Sequence, residues 1–146
     1  MASRAERRYV KGRGFYNADM NSFNHWALGA VGEWMWRHIA GLNPDDAQPG
    51  WKHFVIAPKP GGGVTWAKAE YQSIRGRIAC DWRIEGAKIT LRAVVPPNTT
   101  ATIHLPTSDA TKITEGGKRS TAGRTTAAGA EIEVGSGTYE IVAPCP

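Results

Sequence analysis

From Val64 onward the apolar residues recur at every second position, and this period limits what the chain can fold into. Ala67, Ala69 and Tyr71 alternate with Lys68, Glu70 and Gln72, and Arg75-Gly76 turns the chain. Ile78, Cys80, Trp82 and Ile84 alternate with Ala79, Asp81 and Arg83 up to a second turn at Glu85-Gly86. Ile89, Leu91, Ala93 and Val95 follow, Pro96-Pro97-Asn98 breaks the run, and Ala101, Ile103 and Leu105 resume it. Beyond a Ser/Thr/Gly-rich loop at 116–130, Ile132–Val134 and Tyr139–Val142 read as a final hairpin across Gly135-Ser136-Gly137. Short strands with glycine turns at roughly ten-residue intervals specify an antiparallel, jelly-roll-like β-sandwich. The 17 glycines and 9 prolines among 146 residues agree with so many turns.

The front of the chain follows a different rule. Residues 21–41 read as one helix, with Ser22 or Asn24 able to cap it and Gly41 as its stop. Leu28, Val31, Met35 and Ile39 form one apolar stripe, and Ala27, Ala30 and Trp34 form a second beside it. Trp26 and Trp36 widen the apolar surface, leaving Glu33, Arg37 and His38 as the polar remainder. A helix apolar on most sides belongs among other elements. Residues 42–63 are broken by Asn43-Pro44, Pro49-Gly50, Pro58 and Pro60-Gly61-Gly62-Gly63, and read as a connector carrying one strand within 52–57. The expected organisation is a basic arm at 1–20, the helix at 21–41 and the sandwich at 42–146.

Charge is concentrated in the arm. The net charge is +5, and residues 1–13 hold Arg4, Arg7, Arg8, Lys11 and Arg13 against Glu6. Such an arm can meet phosphates or anionic surfaces, but no aromatic precedes Tyr9 to stack on bases, so nucleic acid is not expected as a partner. No apolar run is long enough to span a membrane, and no membrane partner is expected. The first 25 residues contain no apolar core of a signal peptide, which gives a cytoplasmic location as the expectation.

Chemistry is sparse. Gly61-Gly62-Gly63 leads into a strand and lacks the helix N-terminus that a phosphate loop needs. Cys80 and Cys145 lack paired metal-ligand spacing, so no metal and no cofactor are expected. Cys80 reads as a packed thiol and Cys145 as exposed, with a bond between them left open. Asn98-Thr99-Thr100 reads as a turn, and Glu33 as a structural or salt-bridged residue. Asn24 and His25, set between Phe23 and Trp26, combine hydrogen-bonding groups with an apolar platform, as a sugar pocket does. A capping Asn and a structural His explain the same residues.

Two strings carry a family resemblance. Residues 20–37, Met-Asn-Ser-Phe-Asn-His-Trp-Ala-Leu-Gly-Ala-Val-Gly-Glu-Trp-Met-Trp-Arg, resemble the last barrel helix of bacterial α-L-rhamnosidases. Residues 50–63, Gly-Trp-Lys-His-Phe-Val-Ile-Ala-Pro-Lys-Pro-Gly-Gly-Gly, resemble the segment leading from that barrel into a C-terminal β-sandwich. Ala67-Lys-Ala-Glu-Tyr71, Gly76, Trp82 and Pro96-Pro-Asn-Thr-Thr100 continue the likeness. These enzymes are large inverting glycoside hydrolases with an (α/α)6-barrel catalytic domain. The resemblance implies a rhamnose-containing carbohydrate as ligand, with Asn24, His25 and Trp26 at the sugar. It also implies a general base about twenty residues before the His, where Glu6 stands without the tryptophans that usually flank that base. The family's general acid lies upstream of the matching strings.

A C-terminal portion of a rhamnosidase, inactive alone, is therefore the leading reading. The sequence also allows a carbohydrate-binding or assembly module, or a small hydrolase completed by dimerisation. One helix cannot close a barrel, so the surface at 26–39 is expected to dock onto another chain or a second copy.

Overall fold

The computed structural model describes residues 9–10, 14–15, 26–120, 123–127 and 129–145. The chain divides into two units, Met1–Val31 and Gly32–Pro146. In the first, strand β1 (Tyr9–Val10) pairs antiparallel with β2 (Gly14–Phe15), and helix α1 (Trp26–Trp34) begins. Residues 21–25, with the expected caps Ser22 and Asn24, lie outside the described residues.

The second unit contains two sheets around one core. Its strands are β3 (Leu42–Pro44), β4 (His53–Ile56), β5 (Trp66–Ser73), β6 (Gly76–Glu85), β7 (Lys88–Val95) and β8 (Thr100–Leu105). They continue with β9 (Thr114–Glu115), β10 (Lys118–Arg119), β11 (Gly123–Thr126), β12 (Gly129–Val134) and β13 (Gly137–Pro144). One sheet runs β10-β9-β13-β7-β6-β5 and the other β11-β12-β8-β4-β3. The alternation legible in the sequence gives the inner face. Ile78, Cys80, Trp82, Ile89, Leu91 and Ala93 are fully buried from one sheet; Phe54, Ile56, Ala101 and Ile103 are fully buried from the other. The chain is thus mainly β, a sandwich as its period requires.

Four details differ from the sequence reading. The last two strands are not a hairpin: β12 pairs with β8 and β11, whereas β13 pairs with β7 and β9. Gly135-Ser136 carries the chain from one layer to the other, so that Ile132 and Ile141 enter the core from different sheets. One pairing is parallel, β4 with β8. Between these strands the chain builds β5 to β7 in the opposite sheet, so no tight turn imposes the antiparallel sense. The connector carries two strands, because β3 pairs with β4 and buries Leu42 against the core. Pro44 is tolerated there because β3 is an edge strand. Cys145 is buried rather than exposed: its N–H donates to the Ala87 carbonyl at 2.9 Å and draws the residue into the core. Both cysteines are free thiols.

The helix also ends differently from a simple α-helix. After Trp34 it widens into a π-helical turn, Met35–Ala40, and stops at Gly41 in the left-handed region at φ 85°. A helix end leaves its last carbonyls without intrahelical partners. Here the Gly41 N–H bonds the Trp36 carbonyl at 3.0 Å, and the Asn43 amide donates to Arg37 at 3.0 Å. The Lys59 N–H takes His38 at 3.0 Å, and the Trp82 indole N–H takes Ile39 at 2.9 Å. The Cys80 thiol donates to Ala40 at 3.4 Å, and the Ala57 N–H to Gly41 at 2.8 Å. The turn packs against β5, β3 and β6, and so fills the side of the sandwich where the edge strands β5 and β3 lie.

Two substitutions test this junction. A Cβ at Gly41 would sit 2.3 Å from the Pro58 nitrogen, in a backbone region that side chains avoid. Gly41→Ala is expected to destabilise the fold by at least about 1–3 kcal/mol. Trp82→Phe leaves the Ile39 carbonyl without its donor and opens a small void, with an expected loss of about 2–4 kcal/mol. Urea unfolding followed by circular dichroism measures both.

Candidate functional site

Of the residues singled out in the sequence, Glu6, Asn24 and His25 lie outside the described residues. Trp26 opens α1. The described residues therefore present surfaces rather than an assembled sugar pocket, and three of them combine chemistry with geometry.

The first is the helix. Val31, in the first unit, is 59% exposed. In the second unit Trp34 and Met35 are each 53% exposed. Glu33 is salt-bridged as expected, to Arg37 at 2.9 Å across one helical turn. Below, Trp36 meets Tyr71 edge-on at 6.3 Å between ring centres, and Trp51 lies 4.8 Å from Tyr71 and 6.0 Å from Phe54. Gly50 and Trp51 are both left-handed, at φ 75° and 58°. Arg75 holds that bend by donating Nε–H to the Gly50 carbonyl at 2.9 Å.

The second surface is the outer face of the five-stranded sheet. The Thr102 hydroxyl donates to Glu133 at 2.9 Å, which leaves Thr102 as the acceptor of the His53 Nε2–H at 3.0 Å. That fixes the His53 tautomer and turns its Nδ1 toward the Thr100 hydroxyl at 2.7 Å. Beside it, Glu131 accepts from Arg124 at 2.8 Å and stands 3.4 Å from His104. These strands carry polar ladders whose members satisfy one another.

The third is the outer face of the six-stranded sheet. Lys68, Asp81, Arg92 and Glu140 are cross-strand partners in one row, so the signs alternate over four strands. Arg92 Nε bonds Glu140 at 2.8 Å. A cleft of about 420 Å³ lies over this row, lined by Asp81, Arg83, Glu85, Thr90, Arg92 and Glu140. A second of about 310 Å³ adjoins it, sharing Arg92 and Glu140. The polar members of this alternation were visible in the sequence, but the row requires the pairing register, which the sequence does not state.

The two thiols are not set up as nucleophiles. Burial, with a smaller contribution from the Asp81 charge, pushes the Cys80 thiol up to about 12. Burial also raises Cys145. A thiolate nucleophile needs the opposite shift. Among the described residues no three His, Cys, Asp or Glu side chains converge as a metal site would require.

Fold and surfaces together define a β-sandwich module bonded to the end of an apolar helix. The chain matches the family described as the bacterial alpha-L-rhamnosidase C-terminal domain over residues 41–120, and it belongs to that family. It is 40% identical over 126 residues to an alpha-L-rhamnosidase of Streptomyces avermitilis, covering 86% of this chain and 12% of that protein. An alpha-L-rhamnosidase of Formosa agariphila is 45% identical over 101 residues, covering 69% of this chain and 11% of its own length. The crystal structure of the Streptomyces avermitilis alpha-L-rhamnosidase complexed with L-rhamnose superposes with a TM-score of 0.77 at 38% identity. That match covers 89% of this chain and 12% of the other. The chain thus spans about an eighth of the curated relatives it matches, and corresponds to a C-terminal fragment of such an enzyme.

The thiol shift gives a pH prediction. Cys80 binds its proton more tightly folded than unfolded, so its contribution to stability is complete below the ordinary thiol pKa. It is lost as pH rises toward about 12. Comparing wild type with Cys80→Ala between pH 8 and 11 by urea unfolding is expected to show a steeper fall with pH in the wild type. The native Cys80 thiol is also expected to resist alkylation at pH 8 until the chain unfolds.

Proposed function

We propose that this chain acts as the C-terminal part of an α-L-rhamnosidase and has no hydrolytic activity alone. The parent reaction is hydrolysis of a terminal α-L-rhamnosyl bond with inversion, which needs a general acid and a base-activated water. The observation that carries the reading is the contrast along one helix. The carbonyls at its C-terminal end are bonded, while Trp34 and Met35 stand in solvent. Burying such side chains is worth about 1.5–3 kcal/mol each, which makes them the natural contact for the rest of the enzyme. In that assembly Asn24, His25 and Trp26 stand at the rhamnose and Glu6 at the base position. A second copy of this chain is the alternative occupant of the helix face.

Two measurements test the proposal. Purified chain incubated with an aryl α-L-rhamnoside is expected to give no turnover; turnover abolished by Glu6→Gln would overturn the proposal. The double variant Trp34→Ser, Met35→Ser is expected to lower self-association, read by sedimentation, and to change stability by less than about 1 kcal/mol. Unchanged self-association would remove the helix face as the contact.

A further inference from the structure

We infer that the outer face of the six-stranded sheet is a binding site for a neutral glycan, with Trp66 as stacking platform and the charged row as hydrogen-bonding floor. Trp66 is 61% exposed on the edge strand β5 and is the cross-strand partner of Arg83, which lines the larger cleft. Cross-strand partners share a face, so the indole stands beside the cleft. The side chain flanks a concave, polar floor, which is the arrangement that holds a ring with one apolar C–H face and a rim of hydroxyls.

The floor has free hydrogen-bonding capacity. Asp81 is half-buried between the inward-facing Cys80 and Trp82, and its carboxylate makes no hydrogen bond or ion pair among the described residues. Arg92 commits Nε to Glu140 and leaves its two amino groups for a ligand. Arg83 reaches Glu85 only at 3.8 Å, beyond hydrogen-bond distance. Thr90 adds a hydroxyl.

The balance of charge selects the ligand class. Three carboxylates and two guanidinium groups line the cleft. A phosphate or polyuronate would meet the carboxylates, and a cation would meet the arginines. A neutral sugar uses both, because each hydroxyl donates to a carboxylate and accepts from a guanidinium. Neighbouring strands stand about 4.8 Å apart, so acceptor and donor alternate at a spacing suited to hydroxyls spread around one ring.

The site is independent of the helix contact. The helix end packs against the inner side of this sheet, through Trp82, Cys80 and Tyr71, and the cleft occupies the other side. Both faces can be engaged at once.

Native electrophoresis of the full chain toward the cathode, through gels containing galactomannan, xylan or arabinogalactan, tests the inference. At least one of these neutral polysaccharides is expected to retard the wild type. Trp66→Ala and Asp81→Asn are each expected to weaken that retardation about tenfold or more, with melting temperatures unchanged. Trp34→Ser, on the helix, is expected to be retarded by polysaccharide as strongly as the wild type, each measured against its own mobility in a sugar-free gel, which separates this site from the docking surface. Retardation by none of the three would overturn the inference. So would retardation that survives in Trp66→Ala, or one confined to polygalacturonate and removed by salt.

Discussion

The junction between helix and sandwich depends on the carbonyls that the helix cannot satisfy itself. The sandwich and its connecting segment answer those of Arg37 to Gly41 with donors from Asn43, Lys59, Trp82, Cys80 and Ala57. Each such bond is worth only about 0.5–1.5 kcal/mol net, but a buried carbonyl left without a donor costs about 1–3 kcal/mol. The set therefore acts mainly by excluding alternatives: a helix end shifted by one residue would orphan several groups together. The π-helical widening follows the same constraint, since a regular α-turn would present different carbonyls to Trp82 and Cys80. Gly41 then allows the chain to reverse where a Cβ would stand 2.3 Å from the Pro58 nitrogen.

That tight junction explains why exposed apolar side chains persist a turn away. The turn Met35–Ala40 is held by backbone carbonyls and by the buried faces of Trp36 and Ile39, so Met35 and Trp34 take no part in the contact. In a self-sufficient small domain these positions would carry lysine or glutamate. Their apolar character fits the proposed docking of this helix face, in a chain whose Streptomyces avermitilis relative is about seven times longer.

Much of the sandwich was legible because period two is a physical requirement of a half-buried strand, and the inward residues of β6 to β8 follow it. The rest was hidden for identifiable reasons. Ile132–Val134 and Tyr139–Val142 look like a hairpin because two strands around Gly-Ser-Gly usually form one; only the competing partners β7 and β8 decide otherwise. Strands β9 to β11 are too short, and too rich in Thr and Gly, for periodicity to register. Cys145 looked exposed by its nearness to the chain end, whereas the Ala87 carbonyl pulls it inward. The family likeness was carried by rare strings, and those strings hold the residues that the junction needs: Trp36 and Arg37 on the helix, Ala57, Pro58 and Lys59 beyond it, and Trp82 in the sheet. Of the sugar-contact residues that the likeness suggested, Asn24 and His25 stand outside the described part of the chain and Trp26 opens α1, so the candidate surfaces had to come from the structure.

Strand β6 shows how closely the two sides of this module are tied. Cys80 and Trp82 point inward and hold the helix end, while Asp81 and Arg83 point outward and line the cleft. A slip of one residue would exchange the two sets, placing a carboxylate and a guanidinium in the core and an indole in solvent. The register is pinned at both ends by turns at Gly76 and Gly86, each at positive φ. It is also pinned along its length by pairing with β5 and β7. The alternation that makes a strand half-buried therefore gives one segment two separate tasks, and neither face can be altered by insertion or deletion within β6 without loss of the other.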